Sequence, residues 1–452
     1  MIRYFDISDL VRFAKSSGTV SGIQRVQIRI LRHLVENQNP EEVVCIFSTG
    51  RYRSIRACYG KDLLSEAGYE ADVLLRKLNL ENPHAAFTSR ELKDYLSPFP
   101  KKSFRRMFYK LVIILIHFIS PRRARCWMGL PTKTHHKKVE SVKTWSIKTV
   151  GRDDQIVLIG TNWNVSSIER VARKHHQQGG HVVQVIYDLI PLRYPQYCVE
   201  NLARKFVQYL HRSRTFVSHY ICISESTKRD VENFLDKHTS HIKVSDCPLA
   251  HEFEGFGRES AVVRPSNAEI RTLTGTRFVL CVGTIEVRKN GVTLLRVWQK
   301  LIQDGVQDLP RLVFAGKLGW KNREFQEILA SDKSLQDNVL ILTQTTDSDL
   351  ADLYTRCLFT VYPSLVEGWG LPVGEAAWFG KYSVVSSSSS LPEVCGDLVD
   401  YVSPKNLDGW VEMIKKSICD SEYRKTKEHR ISGASLRTWK QVSNRFYILL
   451  TQ

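Results

Sequence analysis

The sequence predicts an α/β protein built from two doubly wound parallel-sheet domains, and three observations carry that prediction. The chain has 452 residues, too many for one ordinary core and suited to two domains of about 200 residues each. From residue 151 onward, short apolar runs alternate with longer helical ones, as they do when parallel strands are covered on both faces. A polar, irregular stretch near 255–275, containing Pro265, interrupts the alternation, which then resumes with a similar rhythm.

The elements follow in order. Tyr4, Phe5 and Ile7 open the chain, and SSGTVSGIQRVQIRILRHLV reads as a small-residue loop entering a helix. Ser21 and Gln24 have capping-box spacing there, and Ile23, Val26, Ile30 and Leu34 recur at helical period. QIVLIG (155–160), HVVQVIYD (181–188) and HYICIS (219–224) are strands, with helices near 166–178, over 197–215 and in ESTKRDVENFL. Beyond the interruption, FVLCVG (278–283), RLVFAG (311–316), NVLILT (338–343), LFTVYP (358–363) and YSVVSS (382–387) are strands at helix-length spacings. Thr346 and Asp349 form a second capping box. The expected domains are 1–265, with a basic and apolar insertion at about 80–150, and 275–430. A C-terminal helix in 431–452 is expected to pack back on the first domain.

Composition narrows the class. Hydrophobic residues make up 42% and charged residues 25%, ordinary values for a globular protein. Ten cysteines are scattered without a CxxC pair, which disfavours a structural zinc site and points to free thiols in a reducing compartment. MIRYFDISDLVRFAKSSG lacks the uninterrupted apolar core of a signal peptide, so a cytoplasmic location is expected. The net charge of +18 is concentrated: residues 101–150 hold 13 Lys or Arg against one acid, Glu140.

Two loops carry chemistry. Strand FVLCVG feeds TIEVRKN and then the helix GVTLLRVWQKLI, so the loop lies at the carboxyl edge of a parallel sheet, where ligands bind. A helix N-terminus there offers unpaired amides, and Arg288 with Lys289 adds two charges suited to a diphosphate. A solvated turn that happens to hold two basic residues is the alternative. The second loop is YPSLVEGWGLPVGEAAWFG, with Glu367 in a glycine turn and Glu375 inside the following helix. Gly368 and Gly370 let backbone amides approach phosphate or sugar oxygens closely. The bland alternative is two surface carboxylates beside a tight turn. A paired-carboxylate hydrolase needs acids flanking a sugar ring, and one loop glutamate with one helix glutamate is poorly placed for that.

VEGWGLPVGEA, CVGTIEVRKN and SSSLPEVCGDLVDYVSP together resemble the C-terminal domain of glycosyltransferase family four, retaining enzymes of the GT-B fold, in which two Rossmann-like domains face each other across a cleft. In the first half, SGIQRV resembles the family's glycine loop, VIYDLIPLRYPQY its acceptor-side loop and YICISESTKRDV a characteristic strand–helix. The resemblance touches nearly the whole chain except roughly 80–150. It implies a retaining, metal-independent transfer of a hexosyl unit from a GDP- or UDP-linked sugar to a glycan or lipid-linked saccharide, with no cofactor. By this resemblance Glu367 contacts donor sugar hydroxyls, Glu375 binds the ribose, and Lys289 with Arg288 neutralises the diphosphate. Gly283, Thr284, Gly368, Gly370 and Leu371 line the donor, Gly22 belongs to the glycine loop, and Asp188 lies on the acceptor side. Two positions depart from the pattern: Thr284 stands where many members carry Arg, and Tyr187 where many carry His. A non-catalytic sugar-nucleotide-binding scaffold of the same fold is the alternative function.

The basic segment holds MFYKLVIILIHFIS (107–120), preceded by KKSFRR and followed by PRRAR. Its apolar run is too short to span a bilayer, which takes about 20 residues. It suits a helix lying in the interface of the inner membrane's cytoplasmic face, with Arg105, Arg106, Arg122, Arg123 and Arg125 near anionic headgroups. A buried helix with solvated arginines is the other reading. No nucleic-acid-reading motif accompanies the patch, so a nucleic-acid partner is not expected.

Overall fold

The computed structural model describes residues 1–16, 22–48, 54–64, 71–80, 92, 95–96, 98–100, 103–119, 128, 140–235, 241–258 and 267–452. Ser21 of the expected capping box, Pro265, and Arg122, Arg123 and Arg125 lie outside the described residues. The chain divides into two compact units: Met1–Val185 with Arg212–His219, and Ile186–His211 with Tyr220–Gln452. Asp188 therefore belongs to the second unit.

The described strands form two sheets. The first contains β1 (Arg3–Asp6), β2 (Val43–Ser48), β3 (Ile55–Tyr59), β4 (Trp145–Ile147), β5 (Gln155–Leu158), β6 (His181–Ile186), β7 (His219–Cys222) and β8 (Lys243–Asp246), in the order β4-β3-β2-β1-β5-β6-β7-β8. β1 pairs in parallel with β2 and β5, and β5 with β6. The β2–β3 and β3–β4 pairs, at one edge of the sheet, are antiparallel. For β2–β3 the connection explains it. Only residues 49–54 separate β2 from β3, whereas a parallel return needs a crossover of about a dozen residues or more.

The second sheet contains β9 (Phe278–Val282), β10 (Arg311–Ala315), β11 (Val339–Leu342), β12 (Thr360–Tyr362), β13 (Ser383–Ser386) and β14 (Asp400–Val402), ordered β11-β10-β9-β12-β13-β14. Its registered pairs are all parallel. The chain winds outward from β9 through β10 to β11, then returns to start β12 against β9, with Thr360 opposite Leu280. The β9/β12 boundary is a topological switch point, where the loops leave in opposite directions and open a crevice. The helices sit where the apolar spacing put them, over Gly291–Gln303, Asp347–Arg356 and Leu371–Trp378, and Thr346 closes its capping box with Asp349.

Part of the stretch read as irregular is built into the core. Ala268–Arg271 is a short helix capped by Asn267, and Ile270 and Leu273 are fully buried with Phe253, Phe278 and Tyr354. Two apolar side chains among polar neighbours are too sparse to register as a period. The C-terminal helix Trp439–Thr451 packs along residues 246–252. The Trp439 indole donates to the Glu252 carbonyl at 3.0 Å, and Arg445 reaches the Asp246 carboxylate at 2.9 Å.

Candidate active site

The site grows from two loops at the carboxyl ends of adjacent strands. β9 ends at Val282, and Gly283 follows with φ 137°. The carbonyl of Gly283 lies so close to Gly316 that a Cβ there would sit 2.0 Å from its oxygen, so both positions need glycine. A single turn over Val287–Lys289 follows, Asn290 takes a left-handed conformation (φ 56°), and the helix Gly291–Gln303 begins. The Asn290 amide donates at 3.1 Å to the carbonyls of Pro363 and Pro404, tying this loop to those after β12 and β14.

β12 ends at Tyr362 and delivers Ser364–Gly370 to the same place. The Leu365 amide donates to the Arg288 carbonyl at 2.8 Å. Gly368 presses against residue 187, where a Cβ would meet the Tyr187 carbonyl oxygen at 2.0 Å. Gly370 has φ 116° and caps the helix whose first residue is Leu371. A run of serines braces the turn from behind. Glu367 donates its amide to Ser389 Oγ at 2.8 Å, and Ser390 Oγ donates to the Glu367 carbonyl at 2.9 Å. Ser389 itself is left-handed (φ 52°), a strain of about 1–3 kcal/mol that the surrounding structure must hold in place.

The charged side chains meet inside this frame. Arg288 donates to Glu367 Oε2 at 2.6 Å, to Glu286 Oε1 at 3.0 Å and to the Val366 carbonyl at 3.0 Å. Lys289 donates to Glu367 Oε1 at 2.6 Å and to the Tyr362 hydroxyl. Glu367 thus bridges both cations and is itself buried. Burial alone would raise its carboxyl, but Arg288 and then Lys289 overcome it and pull the value down to about 2. Burial lowers Lys289, with Glu367 opposing. Burial would likewise lower Arg288, but Glu367, Glu286 and Asp188 raise it, so it stays charged. Glu286 is raised by burial against the pull of Arg288, and its Oε2 has no hydrogen-bond partner.

Beside this cluster is a small, partly open pocket lined by Gly283, Thr284, Lys289, Tyr362, Pro363 and Ser364 among others. Asp188 accepts from the Ile190 amide at 3.0 Å; burial raises its carboxyl, and the Arg288 charge opposes that. Glu375 is buried one turn into its helix, where the Tyr354 hydroxyl donates to it at 3.0 Å. The structure therefore gathers Glu367, Arg288, Lys289, Gly283, Thr284, Gly368, Gly370 and Leu371 on the loops after β9 and β12, and Glu375 on the adjoining helix. Gly22 opens the helix Gly22–Asn37 in the other unit. Sequence reasoning missed Glu286, Tyr362 and Ser388–Ser390. Glu286 had a signal in its place two residues before Arg288, and the serines in their unbroken run.

The fold is that of a GT-B type α/β protein, and residues 264–431 match the family model described as glycosyl transferases, group 1. WbdA of Escherichia coli, a serotype-specific mannosyltransferase, is 25% identical over 263 residues, covering 57% of this chain and 32% of WbdA. The chain thus matches about a third of that relative's length. O-antigen chain mannosyltransferase B of Escherichia coli is 25% identical over 263 residues, covering 58% of this chain and 68% of the relative. Among solved structures, HepE of Anabaena, in complex with UDP and glucose, superposes with a TM-score of 0.57 at 12% identity over 100% of both chains. An α,α-trehalose-phosphate synthase from Burkholderia xenovorans gives 0.51 at 13% identity over 67% of this chain and 74% of that one. At such identities the likeness is one of fold.

Proposed function

We propose that the chain transfers a hexosyl unit, mannosyl by the names of its relatives, from a GDP- or UDP-linked donor to a glycan or lipid-linked saccharide during polysaccharide assembly. The observation that carries this reading is the buried Glu367–Arg288–Lys289 cluster at the carboxyl ends of β9 and β12. The bond from the anomeric carbon to the diphosphate oxygen breaks, and its electron pair leaves with the phosphate. Arg288 and Lys289 meet the negative charge that develops there, favouring the transition state over the ground state. The acceptor hydroxyl oxygen bonds to the same carbon on the face the phosphate leaves, and its proton passes to the departing phosphate oxygen. That course retains the anomeric configuration and needs no separate protein nucleophile. Glu367 contacts donor sugar hydroxyls and Glu375 the ribose.

A panel of GDP- and UDP-sugars tested by thermal shift checks donor binding, because a ligand of the native state raises stability with the logarithm of its concentration over its Kd. The matching donor stabilises the wild type, and transfer to a saccharide acceptor follows by product analysis. Glu367→Ala should lose transfer while largely keeping donor binding. A wild type that binds a donor yet transfers to no saccharide would instead mark a binding scaffold.

A further inference from the structure

The helix Phe104–Ile119 carries a surface that the transfer reaction does not use. Phe104, Met107, Phe108 and Leu111 are exposed by 74%, 55%, 52% and 54%. Their spacing of i, i+3, i+4 and i+7 puts all four on one face at about 100° per residue. Phe104 and Phe108 stack with ring centroids 6.5 Å apart. The opposite face is the packed one. Ile113 is fully buried, Arg106 donates to the carbonyls of Leu96 and Phe99, and Tyr109 stacks on Phe99 at 4.9 Å. Arg105 and Lys110 are exposed and fall on either side of the apolar stripe. A helix that turns large apolar side chains outward and flanks them with cations is fitted to a surface that is apolar inside and anionic at its edge.

We propose that this face, Phe104–Met107–Phe108–Leu111 between Arg105 and Lys110, docks on an anionic lipid bilayer, with the helix lying in the interface plane. Among the described residues no helix is long and apolar enough to cross a membrane, and sixteen residues extend about 24 Å, so the contact is peripheral. Charge complementarity selects lipid over a second copy of this chain: a copy would bring its own Arg105 and Lys110, and a net charge of +18, against the same cations. Arg106 is committed to the carbonyls beneath the helix and is a positioning residue. Headgroup contact falls to Arg105 and Lys110.

The test is sedimentation of the full chain with vesicles of phosphatidylcholine alone or mixed with phosphatidylglycerol, with no sugar nucleotide present, so its outcome is independent of the transferase reading. Wild type should bind the mixed vesicles and release them as salt rises. F104S/M107S/F108S/L111S should bind at least about tenfold more weakly, because the buried apolar area sets interfacial affinity. R105Q/K110Q, which leaves the apolar face intact, should lose the preference for anionic vesicles. All six positions are solvent-exposed, and circular dichroism and melting should match wild type for both variants. Wild type failing to bind mixed vesicles, or the quadruple variant binding as well as wild type, overturns the proposal. So does a quadruple variant that turns a dimer into a monomer while vesicle binding is unchanged.

Discussion

The two sheets each have a switch point, and the side chains at the two positions solve opposite electrostatic problems. In the second sheet it lies between β9 and β12, where two cations and the carboxylates Glu367 and Glu286 are bonded to one another. In the first it lies between β1 and β5, where two buried acids, Asp6 and Asp9, have only neutral partners. Asp9 Oδ2 accepts from the amides of Gln24 and Gln27 at 3.0 Å each and from the Thr161 amide and hydroxyl at 3.1 Å each. Asp6 accepts from the Ser8 amide at 2.9 Å, from the Ser8 hydroxyl and from Asn162. The contrast separates the proposed recognition site from a latch. Side-chain charges that compensate one another can be exchanged for an incoming anion, whereas amides and hydroxyls converging on a carboxylate join loops from β1 and β5 to the helix Gly22–Asn37.

The largest expected effect breaks the charged side of that comparison. Arg288→Met leaves Glu367 and Glu286 buried with Lys289 as the nearest cation, and removing one partner of a buried pair costs about 3–5 kcal/mol. Urea denaturation should show that loss, and Arg288→Met/Glu367→Gln should recover part of it. If the single variant lost less than the double, the two groups would not be coupled as the geometry requires. Next comes the latch. Asp9→Ala strands two side-chain amides, a hydroxyl and a backbone N–H, a cost of about 2–3 kcal/mol, with no effect on nucleotide-sugar affinity in protein that remains folded. A changed donor affinity there would erase the distinction between the two switch points.

How legible each cluster was follows from the same difference. Arg288 and Lys289 are adjacent, Glu367 sits in one glycine turn, and both loops follow uninterrupted apolar strands, so residue type and local order announced them. Asp9 and Thr161 are 152 residues apart, and neither a lone Asp nor a Thr after a strand marks a site by itself. β1 was equally obscure: RYFD is four residues with a charge at each end, too short and too polar for a period to emerge. What no local pattern contained was the internal pairing of Glu367 with the very cations assigned to a diphosphate. Spacing brings loops to one edge, but which side chain neutralises which depends on the depth to which each is buried.

Two glycines test the same contrast through packing. A Cβ at Gly368 would fall 2.0 Å from the Tyr187 carbonyl, and one at Gly160 would fall 2.2 Å from Asp9 Oδ1. Either alanine substitution forces a local shift costing about 1–3 kcal/mol. Gly368→Ala should also weaken donor binding, because the turn that moves would offer the Gly368 and Gly370 backbone amides to the donor, while Gly160→Ala should only lower the melting temperature. Equal donor affinity in both variants would count against the glycine turn as part of the donor site.

The smallest effect is the dependence of stability on pH, and here the two clusters differ in sign. Burial raises the Asp6 carboxyl from 3.8 to about 7, against its hydrogen bonds from Ser8. A raised carboxyl favours folding most below 3.8, and that contribution is lost as pH climbs through 7, where the buried group must ionise. Glu367 is lowered from 4.5 to about 2, so its contribution is complete above 4.5 and is lost as pH falls toward 2. Between pH 6 and pH 8, therefore, only Asp6 of the two titrates. Asp6→Asn should gain on wild type by about 1 kcal/mol across that interval, while Glu367→Gln keeps a constant difference from wild type. Unfolding free energies at the two pH values decide it: an Asp6→Asn difference that does not move with pH would mean the carboxyl is already charged in the folded protein, with Asn162 and Ser8 solvating it as effectively as water.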